Sequence, residues 1–569
     1  MLSILLDYLK LFESSEYFAL INSWIYFFPI AIPLLTSLSM NLVRGLSERQ
    51  IMKLSWASTL LFVVSSSLAI AFAALEGERV VSVPIFTWGE SRFSLRLDLD
   101  LYAGVFLALT SFLSLLVVRF SRRYMHREPG SQRFFASLSA FMSGLALLAL
   151  AEDLGSFFIG WEILGISSFI LVGFYRHRQQ PIRNSQRVYA VYRICDVGIL
   201  IAAYLMHHHL GGVGFHSLSH PDVVSRIASL DSGIVFWISA MLLLASMGKS
   251  GQFPFSYWVP RAMEGPTPSS AIFYGALSIH AGIFLLLRTY PIWSSSLLST
   301  VLVGIVGGVT ALLGSGISRV QTNIKGQIAY ASVAQVGWMF IEIALGYPHL
   351  ALVHFLSNAI FRCYQLLVSP SVVSYLLMRQ SSLAGANQLR FKDQSFENRL
   401  PSVLRNSLYN LLVSEAYVPH WIERFDLRVN RMIFGTFSPS PLVVWSLSSI
   451  LGVSVAFVAT EGESAHLQRV FPFVVGVLCW YLVGAISFIL YEAGRLKVEW
   501  AETLAFISLL GLTGFPISPL FFGEDLVLQS AMSNHPVYVL FFVLVFVLNG
   551  VALIRAYCKE FLLGRTLPI

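Results

Sequence analysis

The chain has 569 residues, of which 56% are hydrophobic and only 12% charged, with a mean hydropathy of +0.70. That excludes a soluble globular domain of this size and points to repeated membrane spans. A formal charge of +7 is no nucleic-acid signature here, because the basic residues fall in loops between apolar runs, where they orient a membrane protein.

In chain order, spans are predicted at about 19–43, 51–75, 99–120, 134–153, 155–175, 186–206, 233–258, 267–288, 296–317, 326–346, 350–378, 441–461, 470–492, 500–529 and 535–558. The runs are about 20 residues long and continuous, so they read as helices and not as barrel strands. The expected fold is therefore an all-α polytopic membrane protein of about fifteen transmembrane helices. The N-terminal stretch lacks the basic region and small-residue site of a cleaved signal and reads as a lead-in to the first span.

Loop charge sets the expected topology. RFSRRYMHREPGSQRF follows the third span, YRHRQQPIRNSQR the fifth, and Arg319 and Lys325 the ninth. Opposite them lie Glu76, Glu78, Glu152, Asp153, Glu461 and Glu463. This predicts an N-terminus outside and a C-terminus in the cytoplasm. Residues 379–440 are polar and basic, and 402–434 spaces its apolar residues as an amphipathic helix broken near Pro419.

Ionisable residues inside the apolar runs carry the functional signal, because charge at membrane depth marks ion or proton paths. Lys249 lies about sixteen residues into its run and just before Pro254, which breaks the helix. Glu162, in GWEILG, needs a cation, and Arg193 on the next span is the natural partner. Arg193 and Asp196 are three apart and share a helix face. His280 is a relay candidate or a packed core histidine, and Lys325 lies near a span end. His354, Asn358 and Arg362 stand at i, i+4 and i+8, one polar stripe. Pro516 and Pro519 break a late span just before Glu524 and Asp525. Two proline-broken helices, at Pro254 and Pro516, suggest an internal repeat with functional centres beside them. The four cysteines are far apart and show no zinc-ligand spacing.

At YMHREPGSQRFF (124–135), GWEILG (160–165), VYRICDVG (191–198), GKSGQFPFSYW (248–258), AMEGPTPSSA (262–271) and YASVAQVGWMF (330–340), the chain resembles the NuoL/MrpA family. These are the antiporter-like subunits of complex I and of multisubunit sodium/proton antiporters. The resemblance implies two inverted five-helix repeats, each with a charged half-channel. It matches Glu162 and Lys249 to a paired glutamate and lysine, Arg193 and Asp196 to sixth-helix charges, Lys325 to a tenth-helix lysine and His354 to a histidine of the eleventh. The implied division is 1–120 for N-terminal helices, 121–290 for the first repeat and 291–378 for the start of the second. An amphipathic segment (379–440) and two additional helices (441–497) precede the remainder (498–569).

There are departures. Asn358 and Arg362 stand where the family usually has a histidine and a lysine, Glu524 replaces a lysine, and Tyr274 occupies the eighth-helix histidine position. FYGALSIHAGIFLLLRTYP (273–291), FRCYQLLVSPSVVSYLL (361–377) and FPISPLFFGEDL (515–526) instead resemble DabB-type membrane subunits of inorganic-carbon (DAB) complexes. That resemblance implies proton or sodium flow, at a bacterial inner membrane, coupled to CO2 or bicarbonate uptake. It also implies a cytoplasmic DabA-like partner, similar to a β-carbonic anhydrase, which supplies the zinc. No cofactor is expected in this chain.

Overall fold

The computed structural model describes residues 16–383 (apart from 44, 78–79 and 89–90), 401–424, 453–454, 471, 474–479, 482–483, 498–513, 518, 520–521, 523–524, 526–527 and 536–559. The chain is mostly helical, and among the described residues ten helices are long and apolar enough to cross a membrane. The expected all-α polytopic class is the observed one. The expected spans at 441–461 and 470–492, together with Pro516, Pro519 and Asp525, lie wholly or mostly outside the described residues.

The first two helices, α1 (Glu16–Leu42) and α2 (Glu48–Glu76), flank a loop closed by a capping box between Ser47 and Gln50. A β-hairpin follows, β1 (Val81–Trp88) with β2 (Ser91–Leu97), in antiparallel register Val81 to Leu97. The all-helical reading did not anticipate it. Its signal was the period-two run Phe93, Leu95, Leu97, with Leu95 and Leu97 buried. Next come α3 (Leu101–Tyr124), α4 (Ser131–Leu150), α5 (Leu154–Val172) and α6 (Gln179–Leu210). Asp100 and Asp153 cap α3 and α5 by accepting from the backbone N–H groups of Ala103 and Ser156.

A short helix, α7 (Pro221–Ser229), precedes α8 (Ser232–Lys249). The helix ends on Lys249 itself, and Gly251 adopts φ +59°, which glycine tolerates without strain. Three short turns then lead to α9 (Thr267–Arg288), which is not regular: Ala271–Leu277 is wound as a π-helix and Ser278–His280 as a 3-10 turn. Such rewinding frequently accompanies functional sites. The span expected to run from 233 to 258 therefore stops at Lys249, and the distortion of α9 was not foreseen.

The remaining described helices are α10 (Leu297–Val320), α11 (Ile324–Ala344), α12 (Pro348–Leu383), α13 (Ser402–Val413), α14 (Val498–Leu512) and α15 (Pro536–Tyr557). Small residues bring neighbours close: a Cβ on Gly160 of α5 would stand 2.7 Å from the Gly144 carbonyl of α4. The amphipathic segment is helical at α13, which packs Leu412 against Gly316 of α10. Its break comes before Pro419, at Glu415, Ala416 and Tyr417, all with φ between +55° and +60°. The helices alternate in direction. Asp100, Glu152 and the end of α6 meet at one end of the bundle through Arg96 and Arg288, and Arg122, Arg123, Arg176, Arg178 and Arg183 lie at the opposite ends of α3, α5 and α6.

Candidate functional site: a buried charge axis

Helices α5, α6 and α8 bring Glu162, Arg193, Asp196 and Lys249 together in the interior, each at most 3% exposed. Arg193 Nη1 donates to Glu162 Oε1 at 3.0 Å, the pairing expected from sequence. The other terminal nitrogen of Arg193 donates to the Thr513 carbonyl, just after α14. The guanidinium lies 3.5 Å from the centre of the Phe546 ring of α15. A Cβ on Gly550 would stand 2.6 Å from Arg193 Nε, so α15 approaches closely only because that residue is glycine. Arg193 thus pins the C-terminal helices to the first charge cluster. Glu524 is buried and acts electrostatically on Arg193 and Glu162.

Lys249 is placed differently from the expectation that it pairs with Glu162. Among the described residues no carboxylate stands at ion-pair distance from its Nζ, which donates to the Trp161 carbonyl at 3.0 Å. It lies 4.2 Å from the centre of the Tyr192 ring and 5.0 Å from that of Trp161, a cation held between aromatic faces. The indole of Trp161 donates to Asp196 Oδ1 at 2.5 Å, so one residue links amine and carboxylate through its two polar ends. The physical reason is competition: Arg193 occupies the carboxylate of Glu162, and Asp196 and Glu162 act on Lys249 at longer range. Gly165 provides the space, since its Cβ would stand 3.3 Å from Lys249 Nζ.

A second polar cluster joins α9, α11 and α12. His280 is fully buried, with Nδ1 2.5 Å from the Ala276 carbonyl and Nε2 3.0 Å from Asn358 Nδ2. Arg362 donates to Asn358 Oδ1 at 3.3 Å, Gln365 Oε1 at 2.7 Å and the Ala331 carbonyl at 3.3 Å. His354 is 2.8 Å from both Glu342 Oε1 and Gln335 Oε1. Glu342 and Gln335 had not been singled out from sequence; they lie seven apart on α11, one face of one helix, which was the available signal. Lys325 points inward at the end of α11, its Nζ 3.4 Å from the carbonyls of Met263 and Gly265. Between the two clusters, buried Tyr192 has Ser168, Ser278 and Tyr274 as neighbours, and the hydroxyls of Tyr192, Tyr274 and Ser278 have no hydrogen-bond partner among the described residues.

No three His, Cys, Asp or Glu residues among those described are placed to hold a metal. Cys195, Cys363 and Cys558 are buried thiols.

The family model described as "NADH:quinone oxidoreductase/Mrp antiporter, TM" matches residues 151–394. That of "NADH-Ubiquinone oxidoreductase (complex I), chain 5 N-terminus" matches 86–135. Through these segments the chain is similar to the antiporter-type membrane subunits of complex I and Mrp assemblies. NADH-quinone oxidoreductase subunit L of Escherichia coli (strain K12) is 31% identical over 314 residues, which is 55% of this chain and 51% of that protein. NADH-ubiquinone oxidoreductase chain 5 of Hylobates lar is 30% identical over 348 residues, 61% of this chain and 56% of that one. The chain spans about half the length of the curated relatives it matches. The fold is similar to a chain in the structure of the Mrp complex from Dietzia sp. DQ12-45-1b, with a TM-score of 0.55 and 21% identity over 92% of this chain and 49% of that chain. It is also similar to one in the archaeal membrane-bound sulfane sulfur reductase, with a TM-score of 0.51 and 21% identity over 60% of this chain and 70% of that chain.

Proposed function

We propose that this chain is the ion-conducting membrane subunit of a larger assembly, moving protons or sodium ions along the axis Glu162, Arg193, Asp196 and Lys249. The observation that carries this reading is the burial of two carboxylates and two cations within one helix layer. Structural locking alone needs only one ion pair, here Glu162 with Arg193. Lys249 and Asp196 are left linked through Trp161, free to exchange charge state as their neighbours change. A buried amine responds strongly to the charge of nearby carboxylates, which is the requirement for a relay. Tyr192, whose ring lies against Lys249, has the hydroxyls of Ser168 and Ser278 as neighbours on the way to His280, and Asn358 bonds His280 in turn. Arg362 does not release its proton, so it stands in the second half as a fixed charge held by Asn358 and Gln365.

The finer reading, carried by Arg362, Glu524 and Tyr274 standing where the antiporter-type family has relay groups, is an inorganic-carbon uptake complex at a bacterial inner membrane. Ion flow through this chain then drives CO2 hydration or bicarbonate accumulation in a cytoplasmic DabA-like, zinc-holding partner similar to a β-carbonic anhydrase. This chain supplies no cofactor of its own, and its termini lie outside (N) and in the cytoplasm (C). The arginine-rich end of the bundle supports that orientation. The similarity to complex I and Mrp subunits supports the other assembly, a pump or antiporter.

The test is flux in proteoliposomes under imposed pH or sodium gradients, with the partner present, and rescue of a carbonic-anhydrase-deficient strain in air. Lys249→Ala and Glu162→Gln should each abolish both. Normal flux in both variants would falsify conduction along this axis. Intact flux without rescue, together with a neighbouring run of quinone-oxidoreductase or Mrp subunits, would move the chain to the pump or antiporter reading.

A further inference from the structure

A groove of about 1170 Å³ opens between α2, α3 and α12, away from the charge axis. One wall is a stripe on α3, Phe112, Leu116, Arg119 and Arg123, spaced i, i+4, i+7 and i+11 and all solvent-accessible. The facing wall on α12 carries Ile360 and Tyr364, 44% and 63% exposed. Large apolar side chains bared on both walls fit a surface that meets hydrocarbon.

The groove is charged at one end only. Arg119, Arg122 and Arg123 line it there, and no carboxylate is among its lining residues. Arg122 lies over the Trp56 ring at 5.3 Å, while its buried Nε has no hydrogen-bond partner among the described residues. Glu48, two turns before Trp56 on α2, is engaged elsewhere: its carboxylate holds His126 at 2.7 Å and the backbone N–H of Arg127 at 3.1 Å. Among the described residues, the three guanidiniums therefore face the groove without a counter-charge. From Phe112 to Arg123 is eleven residues, about 16 Å of helix, which matches one leaflet of a hydrocarbon core roughly 30 Å thick.

We infer that this groove binds an anionic phospholipid, its phosphodiester on Arg119, Arg122 and Arg123 and its acyl chains along Phe112, Leu116, Ile360 and Tyr364. Guanidiniums suit phosphate by their forked donors, and basic pockets between helices recognise anionic headgroups. A protein helix seated in the same groove would leave the three arginines unpaired unless it brought acids of its own, whereas a lipid supplies the anion at that depth.

The experiment uses the full chain in detergent with phospholipids brominated in the acyl chains, which quench tryptophan on contact. The difference between the natural chain and Trp56→Phe isolates the Trp56 emission. Brominated phosphatidylglycerol should quench that emission at a mole fraction on the order of tenfold lower than brominated phosphatidylcholine. In R119Q/R122Q/R123Q the preference should vanish, and in Arg122→Lys it should persist. The R119Q/R123Q pair, which keeps the Arg122 contact with Trp56, guards against misfolding of the triple variant and should lose part of the preference. Equal quenching by the two lipids overturns the inference. So does a Trp56 that neither lipid reaches because a copurifying subunit covers it.

Discussion

The two polar clusters use different chemistry for the same problem of burying polarity in an apolar bundle. Around Lys249 the elements are full charges: Glu162, Arg193, Asp196 and Lys249, all essentially inaccessible. Around His280 they are mostly dipoles and imidazoles, with Asn358, Gln335 and Gln365 sharing hydrogen bonds with Arg362 and His354, and Glu342 the carboxylate beside His354. Arg362, His354 and Glu342 are also partly accessible. The first cluster is therefore costly to disturb and sensitive to any change of charge, whereas the second can lose one member and be resolvated. Under the proposed function, the contrast assigns the charge-switching step to the Lys249 half and leaves the second half a conduit.

The largest effect should come from Arg193→Gln. It strands Glu162 in the interior and removes the contacts to Thr513 and Phe546. Breaking a buried pair from one side typically costs about 3–5 kcal/mol, so thermal unfolding in detergent should show a loss of that order. The double variant with Glu162→Gln should recover part of it. If Arg193→Gln alone unfolds like the natural chain, the C-terminal helices are not held through this guanidinium.

Next, ion flux should separate the halves. Lys249→Ala should lower flux by at least about tenfold, whereas His354→Ala and Arg362→Lys should each change it by no more than about threefold, because dipoles and water can replace one member of the second cluster. Equal losses in both halves would erase the distinction. A smaller effect is expected from Gly550→Ala, whose methyl would stand 2.6 Å from Arg193 Nε. Overpacking of this kind costs about 1–3 kcal/mol, and urea or thermal melts should place it below Arg193→Gln.

Much of this arrangement was legible beforehand, and the reason is energetic. Charges in apolar runs are so costly that their positions alone mark the interior, which is how Glu162, Arg193, Asp196 and Lys249 stood out. The Glu162–Arg193 pair followed from the need to neutralise a buried carboxylate. What the pattern could not decide was competition. Once Arg193 holds Glu162, Lys249 turns to the Trp161 carbonyl, and a backbone acceptor leaves no trace in residue identity. The β-hairpin went unseen because it is short and lies between spans whose hydropathy dominates its surroundings. The π-wound stretch Ala271–Leu277 is equally silent, since nothing in AIFYGAL distinguishes π from α winding.

The mildest test contrasts the interior with the bundle end where Asp98, Glu152 and Asp153 meet. Glu152 lies in the turn between α4 and α5, fully buried. Burial pushes its carboxyl up to about 7, partly opposed by the nearby Arg96 and reinforced by Asp153 and Asp98, with Arg288 also opposing. Arg96 stands 3.0 Å from it, while His216 pairs with Asp98 at 3.3 Å, and the Asp98 and Asp153 carboxyls are themselves raised chiefly by burial. A carboxyl raised in the folded state binds its proton more tightly there than in the unfolded chain. Its contribution to stability is therefore complete below the ordinary value of 4.5 and is lost as pH climbs through about 7. The natural chain should lose thermal stability between pH 5.5 and pH 8, and Glu152→Gln should flatten part of that slope while leaving the share due to Asp98 and Asp153. An unchanged slope would mean that Arg96 holds Glu152 ionised throughout, making this end a fixed ion pair like Glu162 with Arg193.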